Sequence, residues 1–175
     1  MLRAWFYNYC VKPLSIYGRG SSQLNYLVRG IMSTIIAAVT DIGRVRFTDL
    51  LINGRGFIVN QFVIGNGGHN PADSTRALTP DISVTTLPGL KYGPVSITSS
   101  SIIGAYCPEF YIEINPSDYV GEISNIGLIA TINYVPSGIY PDPILGTQFL
   151  FAVGNRPLLN KTAVDTFEAN IAIQF

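Results

Sequence analysis

This chain is short of charge, of histidine and of cysteine, and each shortage removes a class of function. Of its 175 residues 13% are charged, roughly half the usual share of about 25%. Its one histidine, His69, leaves no second imidazole for a metal site or a histidine-based relay. The two cysteines, Cys10 and Cys107, stand too far apart for a CxxC metal motif and are too few for a disulfide framework. Both are expected as free thiols, which suits assembly in a reducing cytoplasm. No apolar run approaches the roughly 18 residues of a membrane-spanning helix, so membrane insertion is not expected. Residues 1–31 lack any acid and hold four basic groups, Arg3, Lys12, Arg19 and Arg29. The remainder has seven basic residues against eleven acidic ones, a formal charge of −4 with no basic patch, which argues against nucleic acid as a partner.

What the chain does have is apolar and turn-forming residues. Hydrophobic residues make up 47%, with seventeen Gly and eleven Pro breaking them into short runs rich in Ile, Val, Phe and Tyr. Such runs favour strands. With so little charge for an open surface, a good part of the exterior is expected to be covered by partners or by copies of the chain.

The length fits one domain. Residues 32–175 are read as that domain, and residues 1–31 either as an N-terminal arm or as an upstream extension of the reading frame. Met32 opens a plausible start, MSTIIAAVTDIG, and Arg29-Gly30 is compatible with a purine-rich ribosome-binding stretch just before it. The alternative is an aromatic-rich arm (Trp5, Phe6, Tyr7, Tyr9, Tyr17, Tyr26) that docks on a neighbour. A secretory leader is not supported, because Asn8, Lys12 and Pro13 interrupt the apolar stretch.

One helix is expected from Thr40 or Asp41, with Ile42, Val45, Phe47, Leu50 and Leu51 as its apolar stripe and Asn53-Gly54 as its stop. A strand at 57–64 runs into Gly65-Asn66-Gly67-Gly68, and 65–80 reads as a polar loop. Further strands are expected near 82–86, 95–103, 109–115, 123–132, 147–153 and 164–175, with a stiff Pro loop at 136–146. Gly154-Asn155 reads as a turn, and Phe167, Ala169, Ile171, Ile173 and Phe175 as the core face of the last strand. The fold class is mainly β with a small α component. Its expected form is an N-terminal helix followed by six or seven mostly antiparallel strands, as a sandwich or with the helix laid on a sheet.

Catalytic readings are weak throughout. The GNGGHN stretch at 65–70 lacks both GxxxxGK[ST] and GxGxxG spacing and has no following helix to bind phosphate. His69 with Asp73, Glu109, Glu113 or Asp118 makes no recognisable acid–base set, and no Ser sits in a GxSxG elbow. Glu109, Glu113, Asp118 and Glu122 could hold the two acids of a glycosidase, but a solvated strand face explains them more simply. Ser96–Ser101 with Tyr92 and Tyr106 could line a sugar groove, although exposed strand edges have the same composition. No catalytic, cofactor-binding or metal residue is assigned, and an enzyme is not expected.

Several short words recur in a known order. Thr40-Asp41-Ile42-Gly43 opens the helix; Phe62-Val63-Ile64-Gly65-Asn66-Gly67 ends a strand in a glycine turn; Arg76-Ala77-Leu78-Thr79-Pro80 follows in the loop. Later come Ser124-Asn125-Ile126-Gly127-Leu128-Ile129-Ala130 and Ala152-Val153-Gly154-Asn155-Arg156-Pro157. In this order, over about residues 33–175, the chain resembles the N-terminal attachment domain of the phage tail-collar fibre family. It departs from that pattern at Ile129-Ala130, where the family carries an acidic residue, and in its long SGIYPDPILG loop. No repetitive shaft follows Phe175, so the resemblance implies the attachment module alone. The implied function is a structural virion protein of a tailed bacteriophage, a baseplate or collar component or a fibre-attachment adaptor. Its implied partners are other tail, baseplate or fibre proteins and copies of itself, a trimer being one option. Contacts are expected from the 65–80 loop, the 136–146 loop and the N-terminal arm. The alternative function is a host-receptor or glycan-binding tail module.

Overall fold

The computed structural model describes residues 30–103, 107–136 and 145–174. Chain order is β1 (Gly30–Val39), α1 (Asp41–Asn53), β2 (Gly56–Gly65), β3 (His69–Asn70), β4 (Asp73–Ala77), β5 (Leu90–Ser96) and β6 (Ser99–Ile103). Then follow β7 (Cys107–Ile114), β8 (Gly121–Tyr134), β9 (Gln148–Lys161) and β10 (Thr166–Gln174). Eight strands form one sheet in the order β5-β2-β8-β9-β1-β10-β7-β6, and β3 and β4 make a separate hairpin. Every pairing is antiparallel except that of β1 with β10.

The two edge strands force the sheet to curl. β5 and β6 lie at opposite edges, yet only Ile97 and Thr98 separate them in the chain. In a flat sheet the edges would stand seven strand spacings apart, about 33 Å, whereas two linking residues reach about 10 Å. The edges therefore meet. The Ile97 N–H donates to Asn60 O of β2 at 3.0 Å and the Thr98 N–H to Tyr111 O of β7 at 3.1 Å, so the linker stitches the seam. An eight-stranded curled sheet thus stands where six or seven strands in two layers or beneath a helix were expected.

The inside of this curl is the core. Ile35, Ala37 and Val39 of β1 meet Phe62 and Ile64 of β2, Ile112 and Ile114 of β7, Ile126 and Leu128 of β8 and Ile171 and Ile173 of β10. Outside, Val63, Leu87, Leu150 and Val153 form a second cluster, in which Leu87 of the irregular 78–89 segment covers β2, β8 and β9. This is why the 82–86 strand is absent: Val84 and Leu87 are apolar because they pack flat on the sheet.

The helix forms where its local chemistry places it. Thr40 caps α1 by accepting the Gly43 N–H at 3.1 Å, and Gly54 closes it at φ 66° with its N–H on Leu50 O. The same Thr40 hydroxyl donates to Leu150 O at 2.6 Å, which ties the helix start to β9. Gly43 is the helix's one buried residue, and a Cβ there would overlap Phe151 O and stand 2.9 Å from Val39 Cγ1. Gly43→Ala is expected to cost about 1–3 kcal/mol by lifting α1 from β9, read as a lower urea midpoint with unchanged m.

Three expectations are corrected here. Residues 65–80 are not all loop, since β3 and β4 pair there. Gly154-Asn155 is not a turn, since β9 runs unbroken through it. Cys107 is not a free thiol, since it is disulfide-bonded and no free cysteine occurs among the described residues. Residues 1–29, Tyr106, residues 137–144 and Phe175, on which other expectations rested, lie outside the described residues. Among the described residues no helix is long and apolar enough to cross a membrane.

Candidate functional site

The words that carry the family resemblance meet in space. Gly65 pairs with Asn125 across β2 and β8, Asn125 with Asn155 across β8 and β9, and Gly127 with both Val63 and Val153. The glycine turn after β2 folds over this seam. The Gly68 N–H donates to Ser124 Oγ at 2.9 Å, and His69 Nδ1 lies 3.1 Å from the same hydroxyl. Asn125 Nδ2 donates to Pro88 O at 2.8 Å, Asn155 Nδ2 to Leu78 O at 3.2 Å, and Asn66 Nδ2 to Glu122 Oε2 at 3.0 Å. These amides strap the irregular segments to the sheet.

Gly68 allows the closest approach. A Cβ there would overlap Ser124 O and sit 2.7 Å from Asn125 Cβ and 2.8 Å from Asn155 Oδ1. Gly68→Val is expected to destabilise the fold by about 3 kcal/mol, the upper end of overpacking, and to free the 65–80 segment. Chemical unfolding and hydrogen exchange of that segment check both parts.

The candidate acids do not gather into a catalytic set. Glu109 and Glu113 lie four residues apart on β7, about 13 Å along a strand, beyond the roughly 5–9.5 Å of glycosidase pairs. Glu113 instead faces Glu168 across β10, and Tyr111 hydrogen-bonds Glu168. Asp118 holds the Asn115 side chain at 3.0 Å, and Asp73 closes a local turn on Thr75. Among the described residues no group of three His, Cys, Asp or Glu could hold a metal ion. Of the residues expected to line a sugar groove, Tyr106 lies outside the described residues. Tyr92 turns toward the core and stacks on Tyr119 with ring centres 5.6 Å apart, and burial pushes its hydroxyl pKa up.

Two basic residues that the sequence reading passed over are structural. Lys161, 1% exposed, donates from Nζ to Asn115 O, Pro116 O and Tyr119 O at 2.9, 3.2 and 2.8 Å. Burial pulls its pKa below the usual 10.5, against the opposing charges of Asp165 and Asp118. Arg156 reaches Ser33 Oγ at 3.2 Å and lies 5.4 Å over the Phe167 ring, with its pKa lowered by burial. Only their places in β9, Arg156 within the strand and Lys161 at its end, reveal these roles; the residue letters carry no such signal.

The end of α1 carries one titrating device. Burial raises the Asp49 carboxyl, but hydrogen bonds from Asn53 and Arg55 and the charges of Arg55 and Arg46 outweigh it, so its pKa falls below 3.8. The folded state then binds this proton less readily than the unfolded chain. Its stabilisation is complete above the unfolded pKa and is lost as pH falls through the folded value, below about pH 4. Asp49→Asn is expected to flatten that acid limb, checked by Tm from about pH 6 down to about pH 2.

What remains is exposed apolar surface. Val45, Leu51 and Ile52 of α1 are 62%, 71% and 74% exposed. The expected stripe is thus corrected: α1 meets the sheet through Gly43 and the partly buried Ile42, and turns Val45 and Leu51 outward. Close backbone approach at Gly43, rather than an apolar face, holds the helix down. No family model, curated protein or solved structure matches this chain.

Proposed function

We propose that this chain is a structural virion protein of a tailed bacteriophage, a baseplate or collar component or fibre-attachment adaptor that acts by protein–protein assembly. The observation that carries the reading is the helix surface. A 13-residue helix fixed to the sheet by its backbone leaves Val45, Leu51 and Ile52 in solvent, an arrangement whose apolar area gains by burial against a neighbour. The low charge share of 13% supports the same conclusion, since a permanent interface needs few charges. The resemblance to the tail-collar attachment domain supplies the setting, with other tail or fibre proteins and copies of the chain as partners.

The test is quantitative mass spectrometry of purified virions from the source phage. The protein is expected at a fixed ratio to known tail components. Its absence from virions, with abundant protein in the lysate, would sink the proposal.

A further inference from the structure

The glycine turn after β2 holds a reactive dipeptide. The sequence contains two Asn-Gly pairs, Asn53-Gly54 and Asn66-Gly67. In such a pair the glycine nitrogen can attack the asparagine side-chain carbonyl carbon, because no Cβ crowds its approach. The attack needs a glycine N–H that is not tied up in a hydrogen bond and a backbone free to turn.

The structure sets the two pairs apart. At the end of α1 the Gly54 N–H donates to Leu50 O at 3.0 Å, Gly54 is held at φ 66°, and Asn53 Nδ2 donates to Asp49 Oδ1 at 2.7 Å. The helix end must open before Gly54 N can react. Asn66-Gly67 lies between β2 and β3, outside both strands, with Gly67 exposed. The Gly67 N–H has no hydrogen-bond acceptor among the described residues. A Cβ on Gly89 would stand 2.5 Å from Asn66 Oδ1 and 2.9 Å from Gly67 N, so the side-chain carbonyl and the nucleophile face the same point.

The turn has no slack to absorb a product. A Cβ on Gly65 would stand 2.6 Å from Asn125 Oδ1, and one on Gly67 2.8 Å from Pro88 O. Asn66 Nδ2 donates to Glu122 Oε2 and the Asn66 N–H to Gly89 O, both at 3.0 Å. An acid at this position would set two carboxylates against each other. An isoaspartyl link would also add a carbon to a main chain already packed against Pro88.

We infer that Asn66 is a site of spontaneous deamidation, and that the reaction unlatches the glycine turn from Glu122. Gly67 N gives its proton to a water-derived base and bonds to Asn66 Cγ. The Cγ–Nδ2 bond breaks, and Nδ2 takes a proton from water and leaves as ammonia. Water then opens the cyclic imide at either carbonyl, which yields an aspartyl or an isoaspartyl link. Asn53 keeps its amide while α1 is folded. The turn thus carries a one-way chemical clock in the segment that straps the irregular chain to β8.

The experiment ages the full-length protein in warm, mildly alkaline buffer, both folded and in urea, with peptide mapping for the mass gain and for isoaspartate. In urea the two pairs are expected to react at similar rates. In the folded protein Asn66 is expected to react at least about tenfold faster than Asn53. Asn66→Gln should remove the modification over the same interval, because its closure needs a six-membered ring. Hydrogen exchange of residues 65–70 should rise about two- to fivefold in Asn66→Asp and return toward wild type in Asn66→Asp/Glu122→Gln. Equal protection of the two pairs in the folded protein, or an Asn66 amide that outlasts that of Asn53, would overturn the site. Exchange in Asn66→Asp equal to that of wild type would overturn the unlatching.

Discussion

Lys161→Met is expected to lower stability by about 3–4 kcal/mol, since hydrogen bonds to a charged group are each worth about 1.5–3 kcal/mol and do not add fully. At this chain length that is a fall in Tm of roughly 10 °C. The Lys161 ammonium sits 1% exposed at the end of β9 and donates to three carbonyl oxygens of the 115–119 turn, which links β7 to β8. Methionine keeps the length and apolar volume of the stem, so the loss isolates the three donors rather than the packing. Arginine should not rescue it, because a planar guanidinium fork cannot point at three carbonyls converging on one atom. The turn also positions Tyr119, whose ring stacks on Tyr92 of β5 and whose hydroxyl donates to Glu122 O at 3.0 Å. Hydrogen exchange at 115–120 should therefore rise with the fall in Tm. A Lys161→Met protein that melts within a degree or two of wild type would show that the carbonyls find other partners at no cost.

The legible parts of the fold are those set by local chemistry. Thr40 and Asn53-Gly54 bracket α1 because capping needs only neighbouring residues. β7 and β10 show clean alternation, with Ile112 and Ile114 or Ala169 and Ile171 inside and glutamates outside. β1 lacks that signal: Ile36 and Ala38 face out while Ile35 and Ala37 face in, so its two faces look alike in sequence. The closing of the sheet is less legible still. It depends on Ile97 and Thr98 bonding to residues of β2 and β7, contacts that no local pattern encodes.

The site divides along the same line. The glycine turn and the NIG and AVGN words stood out in sequence, and the structure brings them together as one seam of asparagine amides and close backbone contacts. Their distinctiveness is that of a folding device: Gly68 is fixed by the crowding of Ser124 and Asn125. Their presence in order is therefore informative about architecture, while the exposed apolar surface of α1 belongs to residues of no evident pattern. Val45, Leu51 and Ile52 look like half of an ordinary buried stripe until Gly43 is seen to occupy the contact with β9.

Leu51→Lys/Ile52→Lys is accordingly expected to leave the fold intact and to remove the protein from virions. Both side chains are more than 70% exposed, at 71% and 74%, so their replacement disturbs no packing. They lie in the last turn of a helix that has no basic residue there, where a cation interacts favourably with the helix dipole. Stability should stay within about 0.5 kcal/mol of wild type. At an interface the same change removes two aliphatic anchors and buries two ammonium groups. At about 1–2 kcal/mol for each lost anchor, the loss of affinity is roughly 30-fold to 1000-fold before the buried charge is counted. Val164→Lys serves as the control, since Val164 is 75% exposed on the turn between β9 and β10, away from the helix. Complementation of a phage lacking the gene, followed by mass spectrometry of purified particles, reads the outcome directly. Particles with a normal complement of the double variant would show that the helix surface is not the assembly interface, whatever the chain does in the virion.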